Sequence, residues 1–360
     1  MKAVAFTLVL GLAGACVTAA QEARSGFDLR GTLTAQAVGS SELTEAPRSG
    51  APMAPGAHVI AYPTAKFDEH WFVTGAVQLV TRPYYYSDLS TAGYGAKGNI
   101  LQGALNYSRV SEKGSLLVRA GIMSTAFGSF LLRYDDADNP LVDVPVEYGY
   151  YYAPVSFLGV AGAEMDGTRG KWDGRVQFAN SSPANPRSVL ARDQYGNWAG
   201  GAGYTVRQGF RVGFSGYRGP YLARDYAYFL PGEKNPNQLP AHGLGVDANW
   251  AHGHTTAYAE MQRFIMPYTV VRSFRETAGY AEVRQALAPR WFVAGRYGLA
   301  SNDYTARTHS IETSMGFRPN RFELLKIGYE FEHYSSANEG NDNIVGIQFI
   351  TTFHKSAAWE

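Results

Sequence analysis

The chain has 360 residues and a formal net charge of +1; 45% of its residues are apolar and 14% aromatic, with 24 Tyr, 40 Gly and a single Cys, Cys16. A near-neutral balance argues against a nucleic-acid partner, which needs a basic surface, and one Cys excludes a disulfide scaffold or a Cys-ligated metal. After the first twenty residues no apolar run approaches the roughly 20 residues that a transmembrane helix requires.

At the N-terminus, Lys2 precedes an apolar run from Ala3 to Val17, which ends on Thr18, Ala19 and Ala20. A basic start, a short apolar stretch and an A-x-A-like end make a secretory signal peptide. Residues 1–20 are therefore read as the signal, cleaved after Ala20, and 21–360 as a single domain. Lipidation at Cys16 is the alternative; against it, Ala13 stands where a lipobox carries Leu.

From residue 27 onward the text falls into sixteen segments of about ten residues: 27–38, 56–66, 71–82, 96–109, 115–124, 156–167, 171–181, 197–206, 209–218, 242–251, 255–264, 276–287, 291–300, 307–317, 322–333 and 343–353. Each alternates. Phe210, Val212 and Phe214 share one face, with Arg211, Gly213 and Ser215 on the other. Period two is strand periodicity.

The connections alternate as well. Those after odd segments are long (83–95, 125–155, 219–241), and those after even segments are short (67–70, 110–114, 168–170, 207–208). Short periplasmic turns, long outer loops and an even strand number characterise bacterial outer-membrane barrels. The expected fold is all-β: a transmembrane antiparallel β-barrel of about 16 strands. Trp71, Trp172, Trp250 and Trp291 each adjoin a short turn, where a periplasmic aromatic girdle belongs.

In such a barrel the polar alternate face lines the bore. That phase places Arg30, Arg82, Arg119, Arg175, Arg211, Arg284, Arg296 and Lys326 inside, with Asp173, Asp247, Glu260, Glu282, Glu312, Glu330 and Glu332. Burying these charges dry would cost several kcal/mol per ion, so a water-filled bore is expected around them. Sixteen strands leave room for one.

The connection at 125–155 is far longer than an ordinary loop. It carries Asp135, Asp136, Asp138, Asp143 and Glu147 against one Arg133. Lying after the fifth strand, it is the third outer loop. Here the chain resembles the Gram-negative general porins, and the resemblance implies a homotrimer in the cell outer membrane. It further implies that 125–155 folds into the lumen as the pore constriction, its carboxylates facing arginines on the wall. Arg30, Arg82 and Arg119 are the candidates for that wall, with Arg175, Arg211, Arg284 and Arg296 also lining the pore. The implied function is passive diffusion of small hydrophilic solutes or ions, and the balanced wall charges give weak charge selectivity. The partners expected are outer-membrane lipid and those solutes.

RAGIMSTAFGSF at 119–130 and AGYAEVRQALAPRWFVAGRYG at 278–298 resemble the phosphate-selective porin O/P family. Phosphate selectivity rests in that family on a lysine-rich pore, and Lys326 is the only Lys here in phase for the lumen. An anion- or sugar-selective porin and a non-conducting adhesion or structural barrel are the alternatives.

Other chemistry is weaker. The oxygens of Asp135, Asp136, Asp138 and Asn139 invite calcium, but the run lacks the Gly and distal Glu of an EF-hand, so a solvated acidic loop is preferred. Tyr148, Tyr150, Tyr151 and Tyr152 could stack on a sugar; wedging the loop against the wall suits them better. His252 and His254 lack a third metal ligand. The small residues at 199–203 precede no helix, so they make no phosphate loop. His309 and Ser310 point to opposite faces of a strand, which precludes a shared nucleophilic site. No enzyme activity, cofactor or metal is expected. The last segment ends on Phe353, leaving a seven-residue tail with no assigned place.

Overall fold

Amphipathic strands in lipid can satisfy their backbone N–H and C=O groups only by closing on themselves. The computed structural model describes residues 25–41, 53–82, 84, 95–149, 159–180, 196–219, 239–303, 307–335 and 340–358. Residues 1–20, which the sequence reads as a signal peptide and which include Cys16, lie outside the described residues, as do Tyr150, Tyr151 and Tyr152 and the side chain of Arg82.

The sixteen strands are β1 (Gly26–Ser40), β2 (Ala54–Lys66), β3 (Trp71–Arg82), β4 (Gly95–Ser111), β5 (Gly114–Met123), β6 (Val160–Arg169), β7 (Trp172–Ala179) and β8 (Asn197–Arg207). They continue as β9 (Phe210–Gly219), β10 (Ala241–His252), β11 (Thr255–Met266), β12 (Phe274–Ala288), β13 (Trp291–Asn302), β14 (Arg307–Phe317), β15 (Glu323–Ser335) and β16 (Gly340–Ala358). Each pairs with its sequence neighbour, and β1 pairs antiparallel with β16 to close the ring.

The described strand ends follow the sequence expectation to within about three residues, save at the last strand. The described part of β6 begins at Val160, and residues 156–158 of the expected segment lie outside the described residues. β16 does not stop at Phe353. It runs on to Ala358, pairing residues 354–358 with Gly26–Arg30, so the tail completes the seam where the barrel closes.

The two faces separate as the alternation requires. Most outward side chains are apolar and open to the surroundings, Leu244 at 72% exposure being the extreme among the large apolar ones. At the short-turn rim, aromatic rings pair across strands: Trp71 with Tyr107 at 5.1 Å, Trp172 with Tyr204 at 4.8 Å and Trp291 with Phe317 at 4.4 Å. Phe178 and Trp198 make a similar pair at 4.9 Å near the outer ends of β7 and β8. The buried apolar core is inside the bore. There Phe127, Phe130, Tyr134, Val144 and Tyr148, from the connection after β5, pack on Tyr217, Phe264 and Tyr280 of the wall.

Candidate functional site

The connection after β5 turns into the barrel at once. Gly128, at φ +80°, makes a turn that a side chain would obstruct, since a Cβ there would lie 2.7 Å from Glu260 Oε1. Gln177 of β7 holds the entry, donating to the Ser124 carbonyl at 2.9 Å and accepting from Ala126 N–H at 3.1 Å. Arg175, on the same strand, donates to the Gly128 carbonyl. A 3-10 turn (Phe130–Arg133) then carries the chain across the bore.

Arg133 reaches the β11–β12 wall. Its guanidinium lies 3.7 Å from the Tyr258 ring centroid and donates to Glu282 at 2.6 Å. The next residue, Tyr134, bonds instead to Gln78 of β3. In a ring of sixteen, β3 and β11 stand eight strands apart, so adjacent residues hold opposite walls. Asp135 and Asp136 continue on the β1–β2 side. Asp135 accepts from Tyr62 at 2.7 Å and Thr32 at 2.9 Å, and Asp136 from Thr34 at 2.7 Å and Tyr84 at 2.7 Å. His58 Nδ1 also meets Asp136, at 2.8 Å.

From there the loop returns along β13 to β16. Lys326 directs its three N–H donors to the carbonyl oxygens of Asp136, Asn139 and Leu141, at 3.0, 3.0 and 2.7 Å. Arg296 uses all five of its own: toward Glu282 (two, 2.8 and 3.1 Å), Glu312 (2.8 Å), the Asp143 carbonyl (2.9 Å) and Asn139 Oδ1 (3.0 Å). Val142 packs where β15 and β16 lack side chains: a Cβ on Gly328 or Gly346 would lie 2.6 Å from it. A short helix, α1 (Val146–Gly149), ends the described part, with Tyr148 buried and its hydroxyl donating to Glu260 at 2.8 Å.

Burial and charge act together on the loop carboxyls. Burial alone would raise Asp136, but His58, Lys326 and the Thr34 hydroxyl hold it down at about 2. Asp138 turns to the bore yet is enclosed by the wall; that enclosure pushes it up to about 6, and Asp135 adds to the push. Glu147 is fully buried with neither carboxylate oxygen bonded, and burial, then the Glu260 charge, drives it well above the usual carboxylate range.

The expected wall differs in three respects. Arg30 pairs with Asp28 at 2.9 Å, and Arg119 with Glu164 at 2.8 Å and with Asp166; neither meets a loop carboxylate. Hydroxyls, an imidazole and an ammonium take that place instead. Arg211 lies between Asp173 and Asp247, and Arg284 rests over the Phe292 ring at 4.5 Å. The charges at mid-height are also dry: Arg296, Glu282, Glu312 and Lys326 are all buried, because loop carbonyls and amides replace channel water around them. Asp143 engages through its backbone, its carboxylate accepting from Val144 N–H at 2.7 Å. Among the described residues no group of three or more His, Cys, Asp or Glu is placed to hold a metal ion.

Sequence reasoning missed His58, Tyr62 and Tyr84 as anchors. His58 and Tyr62 do lie on the inward parity of β2, alongside Ile60, and that parity was the available signal.

No family model and no curated protein matches the sequence. Solved structures do. An anion-selective porin from Comamonas acidovorans superposes with a TM-score of 0.64 at 10% identity, over 91% of this chain and 100% of that one. The fold is that of the Gram-negative outer-membrane porins. The outer membrane channel DcaP of Acinetobacter baumannii gives a TM-score of 0.61 at 11% identity over 91% and 97% of the two chains. Salmonella typhi OmpF, in complex with daunomycin, gives 0.61 at 11% over 92% and 98%. The protein therefore has a porin-like outer-membrane channel fold with a loop lying across its lumen.

Proposed function

We propose that the protein is a passive outer-membrane channel for small hydrophilic solutes, in which the segment after β5 sets the size limit. The observation that carries this reading is the crossing itself: Arg133 on Tyr258 and Glu282, and Tyr134 on Gln78 of the facing wall. A rod of backbone across a lumen divides it, and a solute must pass beside the rod. The wall below the crossing on β5 to β10 suits that passage. Arg119, Asp166, Asp173, Arg211 and Asp247 keep partial exposure there, with signs interleaved. Interleaved charge favours dipolar solutes over either ion sign, which supports weak selectivity. Likeness to porins supports a channel in preference to an enzyme built on a barrel, and a homotrimer as the assembly.

A second reading is a barrel with a closed bore, favoured by the burial of so much of the inward face at mid-height. Planar-bilayer recording of the purified protein separates the two. The channel reading expects discrete conducting steps, and liposome swelling that falls with solute size; a silent bilayer contradicts it and supports the closed barrel.

A further inference from the structure

Strands β14 and β15 carry two histidines directly opposite one another near their outer ends. His309 and His333 are register partners, two pairs in from Arg307 and Ser335, where the described pairing of the two strands begins. Alternation fixes their side. His309 shares a face with Ile311, and His333 with Tyr329, and both of those are exposed on the outward surface. Directly opposed residues hold their Cβ atoms about 4.5–5.5 Å apart, so the two imidazoles share one space between the strands.

Each ring is held from its outboard side. His309 Nδ1 meets the Tyr297 hydroxyl of β13 at 2.8 Å, and His333 Nδ1 donates to Asn341 Oδ1 of β16 at 2.7 Å. The two nitrogens of an imidazole point in nearly opposite directions. With both Nδ1 atoms bonded to the flanking strands, both Nε2 atoms turn inboard, into the space between β14 and β15. The same bonds set the tautomer: a proton on Nδ1, accepted by the phenol oxygen or the amide oxygen, leaves a lone pair on Nε2. A hydrogen bond at one ring nitrogen that orients the other is how metal sites support a histidine ligand.

We propose that His309 and His333 bind a divalent transition-metal ion through their Nε2 atoms, at the outer rim of the barrel's outward surface. Imidazole suits Cu2+, Ni2+ and Zn2+. By strand rise the pair lies about 7 Å below the outermost described pair. That depth falls in the hydrated headgroup zone, so water completes the coordination sphere. Two nitrogens make a weaker site than three. What separates this pair from His252 and His254, on either side of Gly253 in a turn, is the opposed register and the two outboard bonds. The site is independent of whether the bore conducts.

Titration of the detergent-solubilised full-length barrel with Cu2+, read by electron paramagnetic resonance, tests this. Cu2+ binds such nitrogens most tightly of the first-row divalent ions, and its spectrum counts them. The wild type should show a one-equivalent signal with two imidazole nitrogens, competed by Zn2+. H309N and H333N should each lose the two-nitrogen signal, and H252N/H254N should keep it. Y297F, which frees His309 Nδ1 without removing a ligand, should weaken binding about tenfold. Should H309N not fold, H333N and Y297F carry the test. The absence of a two-nitrogen signal in the wild type overturns the proposal. So does a signal that survives loss of either histidine, or Y297F binding at wild-type strength.

Discussion

Arg133 and Tyr134 are adjacent in the chain and bonded to opposite walls of the barrel, the first to Glu282 of β12 and the second to Gln78 of β3. The loop is thus a tie between two walls, and its anchors are what must be disturbed to change the lumen.

R133M removes one end of the tie. Glu282 keeps Arg296 at 2.8 Å, so its charge is not abandoned. The expected cost is about 3 kcal/mol, the lower end for a broken buried pair. Calorimetry in detergent should show the lower unfolding temperature, and single-channel records should show larger conducting states.

G328A tests the seat of Val142. A Cβ there falls 2.6 Å from Val142 Cγ2, closer than atoms pack, and overpacking of this kind costs about 1–3 kcal/mol. Pairing it with V142A should recover most of the loss, since the double variant returns the methyl volume; additive losses would mean that the two sites do not touch.

Two loop carboxyls give opposite pH slopes. Asp136 is held at about 2, below its ordinary 3.8, so its stabilisation is present above pH 4 and lost as pH falls toward 2. Glu147 is raised above its ordinary 4.5, so its contribution is full below that value and decays as pH rises through its folded value. E147Q should therefore remove a loss of loop anchoring on the alkaline side and leave the acid limb, set by Asp136, in place. Proteolysis of the loop followed against pH reads both limbs.

Much of the barrel was legible because a strand's inward parity is written in every second residue: Arg211 against Phe210 and Val212 is enough to orient β9. The position of the loop was legible from connection length alone. Its partners were not. Asp136 meets His58, Tyr84 and Lys326, which come from three separate parts of the chain, and no local pattern encodes which strand a returning loop will touch. The expectation that Arg30 and Arg119 stand opposite the loop acids failed for the same reason. Arg30 and Arg119 have carboxylates of their own nearby, Asp28 two residues away and Glu164 on the paired strand, which satisfy them first.

Removing residues 354–358 tests the seam. Gly26–Arg30 would lose their partners on β16 and become an open edge in the membrane, which lipid cannot satisfy. The truncated barrel should dissociate at a lower temperature in detergent electrophoresis, and an unchanged temperature would show that the closure ends at Phe353.

The most direct measurement is the single-channel conductance of a barrel lacking residues 135–143, compared with the intact protein in the same bilayer. A loop that crosses the lumen predicts a clear rise in conductance on its removal. Conductance equal to that of the intact protein would contradict the crossing as the determinant of passage.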